Sequence, residues 1–321
     1  MDADDAVGRA LDDAFQGRTV ADVGETGPSW NDRNRTVEVR FDGGESAFLK
    51  VAVDGDGSRV AREAAVIEYA AAHCDIEVPT VLDSDADGPV PYLATAPIAG
   101  RDFHVPWRDW TTEERAAGIR RVGAALAAVH AETFERPGDV VGGDASALAL
   151  ETGSWTDVLA ERIAAKREIA SSERFDHYFD EVIEAVRANR ERLDRAPATL
   201  VHGDPAMPNV FLCDDALGFV DWELAHVGDP VWDVHVARSQ LLEARDLDAE
   251  ERFVAALRDG YRDRADSLPD GYDERLPVYE AVDLLLVAGF FEKMVEWQDK
   301  PTERYAAWLD AEMRRRLDAL R

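Results

Sequence analysis

"LVHGDPAMPNVFLCDDALGFVDWE", residues 200–223, is the stretch from which the rest of the chain can be interpreted. An apolar run ends at His202, and two prolines stiffen the loop that follows. The next two apolar runs, "NVFLC" and "GFVDW", are separated by "DDAL" and predict an antiparallel hairpin. Asn209 begins the first of these strands and Asp221 nearly ends the second. Pairing therefore brings both side chains to one edge, next to Asp204.

Two carboxylates and one carboxamide in a small volume indicate a site for a hard cation. Mg²⁺ commonly takes one or two carboxylates and fills its remaining positions with phosphate oxygens. We expect Asn209 and Asp221 to hold the metal, Asp204 to remain free to accept a proton, and His202 to brace the loop by hydrogen bonds. The alternative is a surface loop that contains aspartate because the whole chain does. That simpler explanation is sufficient for three other residues: Asp214, Asp215 and Asp229.

The string "HGDPAMPN" (202–209), followed by Asp221 after a short hairpin, resembles the catalytic loop and metal-binding segment of the kinase-like phosphotransferases. Gly203 stands where protein kinases prefer Arg, and Trp-Glu follows Asp221 instead of Phe-Gly. The segment "GDPVWD" (228–233) comes shortly afterwards. These details are similar to the aminoglycoside phosphotransferase and choline kinase group of small-molecule kinases. The resemblance implies ATP and Mg²⁺ as cofactors, and Asp204 as the catalytic residue.

The same resemblance implies a lysine on an earlier strand and a glutamate on the helix that follows it. Lys50 is the single charge in "AFLKVAV", and only four of the 36 basic residues are lysines, so an indifferent position would be lysine about one time in nine. Glu63 lies at the margin of an apolar helical stripe, where a carboxylate needs a cation. We expect the two to pair and to bind nucleotide phosphates. A lysine that snorkels from a strand edge, and Glu68 as its partner, are the alternatives.

A loop near the N-terminus is the expected phosphate cover. By analogy "ETGPSWNDRN" (25–34) would lie over the ATP phosphates, with Ser29 and Asn31 as contacts. The loop lacks the Gly-x-Gly-x-x-Gly spacing of protein kinases.

The predicted secondary structure changes near residue 98. Alternating apolar patterns before it predict strands with one prominent helix, from about residue 58 to 74. Beyond it, long helical patterns cover roughly 111–132, 155–194, 230–265 and 275–320. We predict an α+β, protein-kinase-like bilobal fold. A nucleotide-binding lobe over 1–98 contains a small antiparallel sheet, and a mostly helical lobe over 99–321 holds the catalytic loop and the acceptor pocket.

The charge of the chain is unusual. A formal net charge of −30 results from 66 acidic and 36 basic residues. Such a surface repels nucleic acid and anionic membranes, so we expect neither as a partner. An acidic cleft for a cationic substrate is one reading, but acids are spread along the whole chain, which is typical of a halophile with a very salty cytoplasm. Two distant cysteines and an N-terminus without signal-peptide character also predict a cytoplasmic protein.

Together these features predict an ATP-dependent kinase that phosphorylates a hydroxyl group of a small molecule. A nucleotide-binding pseudokinase without turnover stays open, although every chemical position is filled. A protein kinase-like enzyme is a second alternative, against which the missing Ala-Pro-Glu segment argues. A metal-dependent phosphohydrolase is a third, and it would leave Lys50 and Glu63 without a role.

Overall fold

The computed structural model describes residues 2–26, 33–214, 216–242, 251–296 and 301–321. A five-stranded antiparallel sheet forms within the first hundred residues, in the strand order β1-β2-β3-β5-β4. Its strands are β1 (Val20–Glu25), β2 (Asn34–Phe41), β3 (Ser46–Ala52), β4 (Val81–Asp85) and β5 (Tyr92–Thr95). Helix α1 (Ala3–Ala14) precedes the sheet, and helix α2 (Ser58–His73) connects β3 to β4.

The two faces of this sheet belong to different apolar cores. Along β3 the side chains alternate, so Leu49 and Val51 are fully buried on the face covered by α1. Lys50 projects from the opposite face, on the side of α2. The apolar residues of α2, such as Val66 and Ile67, belong to the larger core that fills the second part of the molecule.

The second part is mostly helical, as predicted, and its long helical patterns are divided into shorter helices. The helices are α3 (His104–Trp107), α4 (Thr112–His130), α5 (Trp155–Ile169), α6 (His177–Ala188), α7 (Arg190–Leu193), α8 (Val231–Ala237), α9 (Glu251–Ala265), α10 (Tyr272–Gly289), α11 (Phe291–Glu296) and α12 (Thr302–Ala319). A π-helical turn (Arg238–Leu242) extends α8. The helical pattern predicted over 155–194 is divided among α5, α6 and α7, because the chain leaves the helix after Ile169 and starts α6 at His177.

Two small sheets connect the helices to the catalytic segment. Strand β6 (Arg101–Asp102) pairs with the hairpin of β10 (Val210–Cys213) and β11 (Ala216–Phe219). The second sheet has the order β8-β7-β12-β9 and contains β7 (Gly138–Asp144), β8 (Ala147–Thr152), β9 (Thr199–Val201) and β12 (His226–Gly228). The β7–β8 hairpin was not predictable from the sequence, because its glycines and small residues lack a clear strand pattern.

The β7–β8 hairpin packs on helix α2 and fixes its position. Arg62 of α2 donates from Nε to the carbonyl oxygen of Val140 at 2.9 Å. At the other end of the helix, His73 Nε2 lies 3.0 Å from the carbonyl oxygen of Ala145. Helix α2 is therefore held by the second part of the molecule as well as by the sheet.

Candidate active site

The loop 202–209 is anchored by one carboxylate of helix α8. Asp233 is fully buried, and its two oxygens accept hydrogen bonds from the backbone N–H groups of His202 (2.7 Å) and Gly203 (2.8 Å). Trp232 Nε1 donates to the carbonyl oxygen of Gly203 at 3.2 Å. Nε2 of His130, on α4, lies 3.2 Å from Oδ2 of Asp233. Because these bonds go to the backbone, they set where the loop begins irrespective of its side chains.

Gly203 has a physical reason to be glycine. Its φ is +88°, in the left-handed region, and a Cβ atom there would lie 2.4 Å from the carbonyl oxygen of Leu224. An arginine, which protein kinases prefer at this position of the loop, has no room on this backbone. The backbone conformation therefore explains why Gly203 stands where protein kinases prefer Arg.

His202 is a brace, as expected, and carries no charge. Its Nδ1 accepts from the backbone N–H of Asp204 at 3.2 Å, so the proton is on Nε2, which donates to the carbonyl oxygen of Val220 at 3.1 Å. Burial lowers the pKa of the ring.

Asp204 and Asn209 lie side by side at the end of the hairpin. Asn209 Nδ2 donates to the backbone oxygen of Asp204 at 3.0 Å and to its carboxylate Oδ2 at 3.2 Å. The backbone N–H of Val220 donates to the carbonyl oxygen of Asn209 at 3.0 Å, and Val210 pairs with Phe219, so Asn209 lies beside the strand end that leads to Asp221. Burial, together with the charge of Asp221, raises the pKa of Asp204 to about 7.

Lys50 lies at the centre of three carboxylates. Its Nζ is 2.8 Å from Glu63 Oε2, 2.6 Å from Asp221 Oδ1 and 3.0 Å from Glu223 Oε2. Desolvation alone would lower the pKa of Lys50, but the three carboxylates outweigh it and raise that pKa well above its usual value. Glu63 is the most buried of the three, and burial raises its pKa to about 7 despite Lys50. Asn34 Nδ2 also donates to Glu223 at 2.7 Å, which links β2 to this cluster.

The donor set fits Mg²⁺ at Asn209 and Asp221. The Nδ2 group of Asn209 is committed to Asp204, which leaves its oxygen as the group that can face a cation. The side chain of Asp221 is 41% exposed, so it is accessible from solvent. Oxygens of Glu63, Asp221 and Glu223 lie within 4.8 Å of one another, but the Lys50 ammonium contacts all three. That trio is an ion-pair network, and a carboxamide with a carboxylate is the better pair of ligands.

Three polar residues in or near the site were not predicted, and a fourth was predicted differently. Asp229, interpreted from sequence as an ordinary loop aspartate, is fully buried and accepts from Arg275 and from Tyr279 Oη. The surface interpretation is wrong for Asp229, because its partner Arg275 is 46 residues away in the chain. The others are Asp233, Glu223 and Arg62. The string "GDPVWD" contains two of these acids and was the available signal.

Two predicted phosphate contacts cannot be compared with this geometry. Ser29 and Asn31 lie outside the described residues.

Several solved structures share this architecture, and the three described next are named as kinases or phosphotransferases of small molecules. A putative fructosamine-3-kinase from Thermobifida fusca YX-ER1 is 23% identical, with a TM-score of 0.63, over 98% of this chain and 97% of that one. A choline/ethanolamine kinase family protein from Mesorhizobium loti is 20% identical, with a TM-score of 0.60, over 100% and 99%. A thermostable mutant of aminoglycoside phosphotransferase APH(4)-Ia, in ternary complex with ADP and hygromycin B, is 19% identical, with a TM-score of 0.60, over 98% and 97%. The predicted bilobal, kinase-like fold is thus confirmed.

The chain belongs to the phosphotransferase enzyme family, whose model matches residues 26–278. The predicted class of enzyme, a phosphotransferase, is thereby confirmed. No curated protein sequence matches this chain. Within the described parts of the chain, each helix is too short or too polar to cross a bilayer.

Proposed function

We propose that this protein transfers the γ-phosphoryl group of ATP to a hydroxyl group of a small molecule. The observation that carries the proposal is that Lys50 pairs with both Glu63 and Asp221, while Asp204 and Asn209 are hydrogen-bonded to each other in the loop that leads into the same hairpin. In a phosphohydrolase the Lys50–Glu63 pair would have no assigned role.

Each predicted residue receives a role in this proposal. Asp204 accepts or steers the proton of the acceptor hydroxyl. Lys50, oriented by Glu63, binds phosphate oxygens of the nucleotide once Asp221 turns to the metal. Ser29 and Asn31 stay predicted contacts to the same phosphates. Catalysis then depends chiefly on positioning and on electrostatic stabilisation.

The metal site of the proposal consists of Asn209 and Asp221. Mg²⁺ bound there would neutralise charge on the nucleotide phosphates. Asn209 directly precedes β10, and Asp221 follows the end of β11 by two residues, so the pairing of β10 with β11 brings the two residues near each other.

The acceptor is a hydroxylated small molecule, and we do not expect nucleic acid or membranes as partners. The solved kinases that share this fold include one crystallised with ADP and hygromycin B, which supports ATP as donor and an alcohol as acceptor. The net charge of −30 disfavours polyanions. Cys74 and Cys213 are buried and free, which supports a reducing cytoplasm. We further propose that residues 1–98 and 99–321 act as two lobes that enclose the substrates.

Turnover of Mg·ATP with a panel of hydroxylated metabolites, aminoglycosides and amino sugars tests the function. We expect ADP release that depends on one acceptor class and falls ~10²-fold or more in Asp204→Asn. Asp214→Asn, which removes an exposed aspartate of the β10–β11 turn, is the matched control and should retain wild-type turnover. ADP release that is the same in the Asp204 variant as in the wild type would exclude the proposal. Nucleotide binding without turnover for any acceptor would favour the pseudokinase.

A further inference from the structure

One lysine of helix α5 faces the active site, although nothing in the catalytic string points to it. Arg162, one turn earlier on α5, donates from Nη2 to the carbonyl oxygen of Leu224 at 2.8 Å. Residues four apart share a helix face, so Lys166 projects towards the same segment, Trp222–Leu224, which directly follows Asp221. Lys166 is half-buried. It is therefore partly accessible from solvent beside this segment.

The Lys166 ammonium is not paired directly with a carboxylate. Among the described residues it forms no hydrogen bond and no ion pair, whereas Arg62 and Arg162 are bonded to backbone carbonyls nearby. Burial lowers the pKa of Lys166, and the charge of Arg162 lowers it further. The position is also one of only four lysines in a chain with 32 arginines. An anion bound beside Lys166 would remove the cost of an unpaired, half-buried ammonium.

Among the described residues, Lys166 is the positive charge with the largest effect on the Asp204 carboxylate. The charges that raise its pKa, after burial, come from three carboxylates: Asp221, Glu223 and Asp233. Lys166 is the cation that opposes them. The loop 202–209 itself contains no Lys or Arg, and His202 is neutral. Lys50 is itself engaged by Glu63, Asp221 and Glu223.

We propose that the Lys166 ammonium contacts the phosphoryl group while it is transferred, which makes Lys166 a further catalytic residue. The inference rests on the proposed kinase function. In that reaction the acceptor oxygen bonds to the γ-phosphorus, and the bond from phosphorus to the β–γ bridging oxygen breaks. ADP keeps that electron pair, and the acceptor proton passes to Asp204. Lys50 holds the phosphates from the nucleotide side, and Lys166 stabilises the non-bridging oxygens from the acceptor side.

Steady-state kinetics of Lys166→Met, with ADP release as the readout, test the inference. The rate is measured with water as the acceptor and with the best hydroxylated acceptor of the panel. We expect kcat to fall ~10²-fold with both acceptors, with the KM for ATP changed less than ~3-fold, because the contact forms at the transferred group. Lys166→Arg should retain a larger part of the activity. Arg167→Met is the matched control, because Arg167 pairs with Asp176 and Asp180 outside the cleft.

Three results would overturn the inference. If Lys166→Met raises only the KM for the acceptor and leaves ADP release to water unchanged, Lys166 binds an anionic group of the acceptor. If thermal stability and ATP affinity fall together in both Lys166 variants, its role is structural. If Asp204→Asn abolishes turnover and Lys166→Met does not affect it, Lys166 takes no part in the transfer. Wild-type turnover in Asp204→Asn would instead refute the kinase function itself.

Discussion

Removal of the Asp233 carboxylate should release the start of the catalytic loop. Asp233→Ala leaves two buried N–H groups, those of His202 and Gly203, without their acceptor. A hydrogen bond to a charged group contributes about 1.5–3 kcal/mol, so two of them predict a loss of roughly 3–6 kcal/mol in the free energy of unfolding. Asp233→Asn keeps one oxygen as acceptor, and we expect about half that loss.

Activity should decrease along with stability. Displacement of the loop by about 1 Å would reduce kcat by ~10²-fold, while ATP affinity should change little, because Lys50 is held elsewhere. Urea unfolding monitored by tryptophan fluorescence, together with kcat and the KM for ATP, measures both effects. Asp283→Ala is the matched control. Asp283 accepts from Ser239 Oγ at 2.7 Å and lies 3.3 Å from His235 Nε2, and neither residue belongs to the loop.

The control variant should lose stability and keep kcat within about threefold of the wild type. Asp233 does not anchor the loop if the free energy of unfolding of Asp233→Ala lies within about 1 kcal/mol of the wild type, or if this variant turns over at the wild-type rate.

Four further outcomes follow from the same structure. Gly203→Ala should cost at least ~2 kcal/mol in urea unfolding and lower kcat, because its Cβ would collide with the carbonyl oxygen of Leu224; wild-type stability would contradict the geometry. Lys50→Met should lower Tm by removing the shared partner of three carboxylates, and millimolar Mg²⁺ should restore part of it; a Tm that Mg²⁺ leaves unchanged would argue against that explanation. Burial and the charge of Arg162 lower the pKa of the His226 ring to about 3. The neutral ring therefore stabilises the folded state fully above the unfolded pKa of ~6.5, and this contribution to the free energy of unfolding is lost as pH falls towards about 3. Unfolding at pH 5 should therefore show a penalty of ~2 kcal/mol that His226→Gln lacks; parallel pH profiles would refute this. Tm should rise between ~0.1 and ~1 M NaCl, because the Debye screening length falls from ~10 to ~3 Å and repulsion among the excess acidic residues weakens; a Tm that does not change with salt would count against adaptation to salt.

The catalytic string was predictable because its geometry is local. The apolar runs of the hairpin fix which strand ends meet, and so place Asn209 beside the segment that contains Asp221. Lys50 was also within reach of the sequence, because alternation along β3 assigns it to the face opposite Leu49 and Val51. In each case the spacing of neighbouring residues carries the information.

Residues that act across the fold were not predictable in this way. Asp233 reaches a loop 30 residues earlier, and Asp229 meets Arg275 of a later helix. A buried aspartate has the same sequence pattern as an exposed one, and only the tertiary packing decides which it is. The ion pair between Lys50 and Glu223 depends in the same way on the fold, because a short 3₁₀ turn after Asp221 positions Glu223.

The attachment of α2 to the β7–β8 hairpin limits how this molecule can be recombined. Arg62 and His73 tie the helix to carbonyl groups of the hairpin, and the apolar side of α2 completes the larger core. A fragment ending near residue 98 would expose that apolar side to water and leave a gap in the core of the remainder. Chimeras between relatives should therefore fold only when α2 and the hairpin come from the same parent.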